Sequence, residues 1–119
     1  MTNFNWNEFY QLAEHLNTDY SFYSQEAVQR TIISRVYYAS FGMAREVLEH
    51  KYKIIVPQNA GSHKYVRSMY EKQGRNDIKN ALGELRKYRN CCDYNKNVRD
   101  LHELVHRSLT LAEEIIKKL

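Results

Sequence analysis

Helix breakers are scarce in this chain, which holds one proline and four glycines among 119 residues. Little therefore interrupts long helical segments. Cysteine is confined to the neighbours Cys91 and Cys92. On a helix two adjacent side chains diverge by about 100°, which points away from a structural disulfide or a metal pair. Free thiols suit a reducing compartment. No stretch approaches the ~18 apolar residues that a membrane span requires. The opening residues MTNFNWNEFY lack the basic and apolar regions of a signal peptide, so cytoplasm is the expected location. A Gly-rich phosphate loop, Cys/His metal spacing and a serine-nucleophile signature are all missing. Conventional nucleotide hydrolysis, zinc chemistry and acyl transfer are accordingly not expected, and no cofactor or metal is anticipated.

What is present is an ordinary globular balance, 43% hydrophobic and 27% charged, over a length that suits one domain spanning residues 1–119. Ten tyrosines supply abundant aromatic surface. The net charge of +4 and a pI near 9.1 permit an acidic partner such as RNA without demanding one.

Hydrophobic spacing predicts five helices and no strand. The first covers about Trp6–Leu16, with Asn5 as N-cap and Glu8 three residues on; 17–24 reads as a connection. The second and longest covers about Gln25–Tyr52, capped by Ser24. Its apolar residues lie on two sides: Ile33, Tyr37, Phe41, Ala44 and Leu48 on one, Val28, Ile32, Ala39 and Met43 on another. A helix apolar over most of its circumference belongs at the centre of a bundle. Pro57 makes 54–61 a loop. Ser62 is expected to cap a short third helix through Lys72, closed by Gly74. Asn76 is expected to cap a fourth, Asp77–Tyr94. A fifth runs from Val98 to the end, with a stripe of Val98, Leu101, Val105, Leu109, Ala112, Ile116 and Leu119. Short links between such helices imply an all-α, antiparallel up-down bundle.

One residue stands on the wrong face of that bundle. At about 100° per residue, Ile78, Leu82 and Leu85 all fall within about 40° of Arg89, which places a guanidinium in the middle of the apolar stripe. Isolating it from water costs several kcal/mol unless it is paired, and Asp93, four residues on, is the local partner. Either the pair is buried and fixes helix packing, or the stripe faces a cleft where arginine reaches phosphate. Arg35 poses the same choice near Tyr38, Ala39 and Gly42: a close helix contact, or the other wall of a cleft that includes Arg89.

The segments SRVYYASFGMAREVLEH (34–50), SHKYV (62–66) and LRKYRNCCDY (85–94) together resemble the small prokaryotic HEPN proteins. The matching residues are Arg35, Tyr37, Tyr38, Ala39 and Phe41, then Ser62 and His63, then Arg89, Asp93 and Tyr94. The resemblance implies a HEPN-like helical bundle that forms a homodimer, associates with RNA in toxin–antitoxin or defence systems, and is often encoded beside a minimal nucleotidyltransferase. Many relatives are metal-independent ribonucleases with an R-x4–6-H motif and a polar residue after the arginine. Carried over to this chain, the catalytic set would be Arg89, Asn90, Asp93 and Tyr94, with Arg35, Tyr38 and His63 contacting RNA. The motif's histidine is missing, because positions 94–96 hold Tyr94, Asn95 and Lys96. Tyrosine, with an ordinary pKa of about 10, suits proton transfer near neutrality poorly. Arg99 and His106 repeat the motif's spacing but fall opposite the apolar stripe of the fifth helix, and His102 lies at its edge. The alternative implied by the same resemblance is a non-catalytic subunit that binds and regulates the nucleotidyltransferase; in some such pairs the enzyme in turn attaches AMP to a tyrosine near the arginine. A plain helical dimerisation module is a further reading.

Overall fold

The computed structural model describes residues 4–18 and 25–119. It contains α1 (Asn7–Thr18), α2 (Gln25–His50), α3 (Ser62–Lys72), α4 (Asn76–Tyr94) and α5 (Leu101–Lys118). The described residues include no strand, so the chain is an all-α helical bundle. None of its described helices is long and apolar enough to cross a membrane.

The two-sided apolar pattern of α2 places it in the middle, where it contacts all four other helices. Val28, Ile32, Ile33, Val36, Tyr37, Ser40, Ala44 and Leu48 are all buried along it. The stripe of α5 keeps the expected Val105 and Ala112 but turns slightly, so that Ser108 and Ile115 take the core places expected for Leu109 and Ile116. Val105, Ser108, Ala112 and Ile115 face the core, while Leu109 and Ile116 are half-buried. Small side chains at Ser108 and Ala112 suit a close approach to α2 that leucine at the centre would oppose.

Helix ends follow the sequence where a cap is chemically specified and depart elsewhere. Asn5 Oδ1 accepts the Asn7 N–H at 3.1 Å, as an N-cap should. Ser24, the expected cap of α2, lies outside the described residues. Ser62 does not cap α3: it is the first helical residue and buried, Gly61 occupies the cap position, and no side chain bonds the helix end there. Asn76 likewise begins α4 instead of capping it, with Arg75 in the cap position. Gly74 takes φ +73° after α3, the left-handed conformation that glycine adopts without strain. Helix α5 starts at Leu101 and not Val98, because Asp100 sits at φ 53° and ψ 42°, which no continuous right-handed helix contains.

Cross-helix contacts give the directions. Arg35 meets Phe9 and Trp6 meets Gly42, so α1 and α2 are antiparallel. Lys79 pairs with Glu71 and Lys118 with Asp77, so α3–α4 and α4–α5 are antiparallel too. Between α2 and α3 the sense is kept: His63 stacks on Phe41 and Tyr70 Oη donates to Ala44 O at 2.7 Å. The non-helical segment 51–61 carries the chain back along α2 before α3 begins. That return brings the start of α3 beside the middle of α2.

Gly42 is required by a close approach. A methyl group built on it would lie inside the indole of Trp6. Gly42→Ala should therefore destabilise the fold by about 1–3 kcal/mol and shift the fluorescence of Trp6, the single tryptophan, to longer wavelength. Unchanged emission and an unchanged melt would show that α1 is not seated there.

Candidate functional site

Arg89 is 8% exposed, as its place on the apolar face of α4 requires. Its guanidinium carbon lies 5.2 Å from the ring centroid of Tyr37 and 5.4 Å from that of Tyr38. The Asp93 carboxylate is 3.5 Å from Nη1, and Nε is buried with no hydrogen-bond partner. The ion pair is long, so the two aromatic faces, at about 0.5–2 kcal/mol each, hold the cation at least as firmly. Arg35 lies over Phe9 at 5.2 Å and over Tyr38 at 5.5 Å. Tyr38 is thus shared by Arg35 and Arg89, and the two arginines lie at one aromatic cluster.

The other side of that cluster is His63. Its ring stacks on Phe41 at 4.3 Å and on Tyr37 at 5.6 Å, and its Nδ1 is hydrogen-bonded to the Tyr37 hydroxyl. Burial pushes the Tyr37 phenol up to about 12, against the pull of Arg86, Arg89 and Arg67. A phenol that keeps its proton donates it to Nδ1, because an imidazole nitrogen is the better acceptor. Nε2 then carries the ring's own N–H. Burial, followed by the charges of Arg86, Arg89, Arg67 and Arg45, holds the His63 pKa below its ordinary 6.5. At pH 7 the ring is neutral and offers a donor at Nε2.

Beyond Arg89, the outer face of α4 and the residue after it form a shallow, open groove of about 560 Å³ lined by Arg86, Lys87, Arg89, Asn90, Cys91, Tyr94 and Asn95. No carboxylate lines it. Arg89, Asn90 and Tyr94 of the expected catalytic set therefore share one surface, and Asp93 reaches it through its ion pair with Arg89. Tyr94 is 75% exposed. The end of α4 is fixed by Arg30, whose Nη1 donates to Cys92 O at 2.8 Å and Asn95 O at 2.7 Å. Its Nη2 donates to Lys96 O at 3.0 Å, and Glu26 pairs with Nη2 at 3.0 Å. A cation on the last carbonyls of a helix is favoured by the helix dipole.

Arg99 precedes α5, His106 lies within it, and both are exposed. His102 meets His106 edge-on at 5.5 Å. Both cysteines are free, and burial pushes the Cys92 thiol up to about 11. Among the described residues no three His, Cys, Asp or Glu side chains gather as metal ligands. Sequence reasoning missed Arg30, Arg45, Arg67 and Arg86. Two had a signal: Arg86 is three residues before Arg89 and Arg67 four after His63, each on the same helical face.

An uncharacterized protein of Methanocaldococcus jannaschii is 36% identical to this chain over 112 residues, covering 80% of this chain and 63% of the relative. The chain thus spans less than two thirds of that protein's length. No protein-family model matches the chain, and no solved structure matches it.

The lowered pKa of His63 has a consequence for stability. The unfolded chain binds the proton more readily, so stability rises with pH. It is fully present above about 6.5 and falls as the pH drops below that value. The melting temperature should decline between pH 7.5 and 5.5, and His63→Gln should flatten the decline. A slope that is unchanged in that variant would show that His63 does not titrate in this way.

Proposed function

We propose that this chain is a HEPN-type RNA-associated protein of the toxin–antitoxin or defence kind, which acts as a homodimer and binds the RNA backbone along the α4 groove. The observation that carries this reading is the groove itself: Arg86, Lys87 and Arg89 line it and no carboxylate does. Phosphate oxygens accept from such groups, and arginine is the residue best shaped for them. Exposed Tyr94 adds a ring on which a base can stack. The dimer rests on the HEPN resemblance, since the apolar sides of α2 are covered within the chain. Two facing grooves would double the charge offered to a strand. No histidine lines the groove, and the Nε2 of His63 is a donor, so binding is better supported than metal-independent cleavage.

Fluorescent single-stranded RNAs titrated in the presence of a chelator test the proposal. Three groove cations imply a log–log salt slope of about −2, at roughly −0.7 per phosphate, and light scattering of the complex should report two chains. Arg89→Ala should weaken binding at least tenfold and abolish any cleavage. Equal binding by wild type and a folded Arg89→Ala would remove the groove as the site.

The exposure of Tyr94 beside Arg89 favours a second reading, a non-catalytic partner of a minimal nucleotidyltransferase. A nucleotidyl phosphate on the Tyr94 hydroxyl would set negative charge against Arg89 and compete with RNA. Intact-mass measurement after co-expression with such an enzyme should show one AMP added in wild type and none in Tyr94→Phe. No mass increase, or one that persists in the variant, would exclude the switch.

A further inference from the structure

Positive charge collects around the start of α3. Four guanidiniums act on the His63 ring: Arg45 from α2, Arg67 from α3, and Arg86 and Arg89 from α4. Two have a carboxylate, Glu49 at 3.5 Å from Arg45 and Asp93 at 3.5 Å from Arg89. Arg67 and Arg86 have no ion pair among the described residues. Arg45 Nη2, Arg86 Nε and Arg89 Nε are buried N–H donors without an acceptor. The 11-residue helix α3 also begins uncapped. The backbone N–H groups of His63 and Lys64 find no backbone partner, whereas Ser62 donates to Asn59 and Tyr65 to Gly61. Arg89, almost fully buried, lies over the same Tyr37 ring whose hydroxyl meets His63. An open helix start and the His63 ring thus stand beside Arg67, whose side chain packs at Gly83 of α4, one turn before Arg86 and two before Arg89, and all of these groups are donors.

We propose that the start of α3, with His63, Arg67, Arg86 and Arg89, is a dianionic phosphate site that takes the phosphorylated end of an RNA strand lying in the α4 groove. The inference rests on the RNA reading above and deepens it. Charge decides between an internal and a terminal phosphate. Two of the four arginines are uncompensated, and an internal phosphodiester brings one negative charge. A terminal phosphomonoester brings about −1.5 to −2 at pH 7 with three strong acceptor oxygens, which matches both cations and more of the donors. Arg86 links the two places, since it lines the groove and stands one turn from Gly83, against which Arg67 of α3 packs. A strand along the groove can therefore end at α3.

The test compares four probes on the intact protein at one salt concentration: a 12-nucleotide RNA with hydroxyl ends, the same RNA with a 5′-phosphate, the same with a 3′-phosphate, and a nucleoside monophosphate. One phosphorylated end should bind at least tenfold tighter than the hydroxyl-ended strand, and which end does so identifies the strand's polarity. In Arg67→Gln that advantage should shrink to less than threefold. Equal affinity of wild type for all three RNAs overturns the end-phosphate site while leaving the groove reading intact. Binding of the monophosphate with no binding of any RNA keeps the phosphate site and overturns the groove. Failure of all four probes to bind overturns both. The wild-type comparison decides the matter even if the variant does not fold.

Discussion

A guanidinium that cannot release its proton, set among apolar side chains, is the constraint around which this bundle is arranged. Desolvating Arg89 costs several kcal/mol, and a 3.5 Å contact with Asp93 does not offset that alone. The remainder comes from Tyr37 and Tyr38, adjacent on α2, whose rings both present to the cation. This arrangement forces α2 and α4 into register. It also commits the Tyr37 hydroxyl, which turns to His63 on α3. Arg30 fastens the far end of α4 to the start of α2 through three carbonyls. Arg89 is thereby held between α2 and α4, with its Nε unspent.

Much of this was legible in the chain before any coordinates. The apolar circumference of α2 announced its central place, and rotating α4 by its helical period put Arg89 on the buried face with Asp93 beside it. Where the sequence misled, a non-local effect decided. Ser62 and Asn76 are good capping residues by type, yet neither caps its helix: packing buries Ser62 inside the first turn of α3, and Arg75 takes the cap position of α4. The start of α5 was missed because Asp100 adopts a left-handed conformation that no side-chain pattern encodes strongly.

The candidate site was legible one helix at a time but not as an assembly. Arg89, Asn90 and Tyr94 could be read from a single helix, and the structure does place them on one surface. That His63 shares an aromatic ring with Arg89 could not be read, since it depends on α3 running the same way as α2. That direction is set by how the segment 51–61 folds back. Arg45 and Arg30 showed in the sequence only as members of i,i+4 ion pairs with Glu49 and Glu26, for their further partners lie far away in sequence.

The parallel return of α3 along α2 has a thermodynamic meaning. The His63–Tyr37 hydrogen bond joins residues 26 positions apart and the Arg30–Cys92 bond residues 62 apart, so no isolated hairpin of helices contains the donor cluster. Closing such long loops is an entropic demand met only when the complete bundle docks. The cluster gathers like charges that repel, and the native packing alone confines them. An anion bound there relieves the repulsion and has nothing comparable to hold in the unfolded chain. Ligand occupancy and global folding are therefore one coupled equilibrium, in which a small ion at the mouth of α3 acts as a clasp on the entire chain.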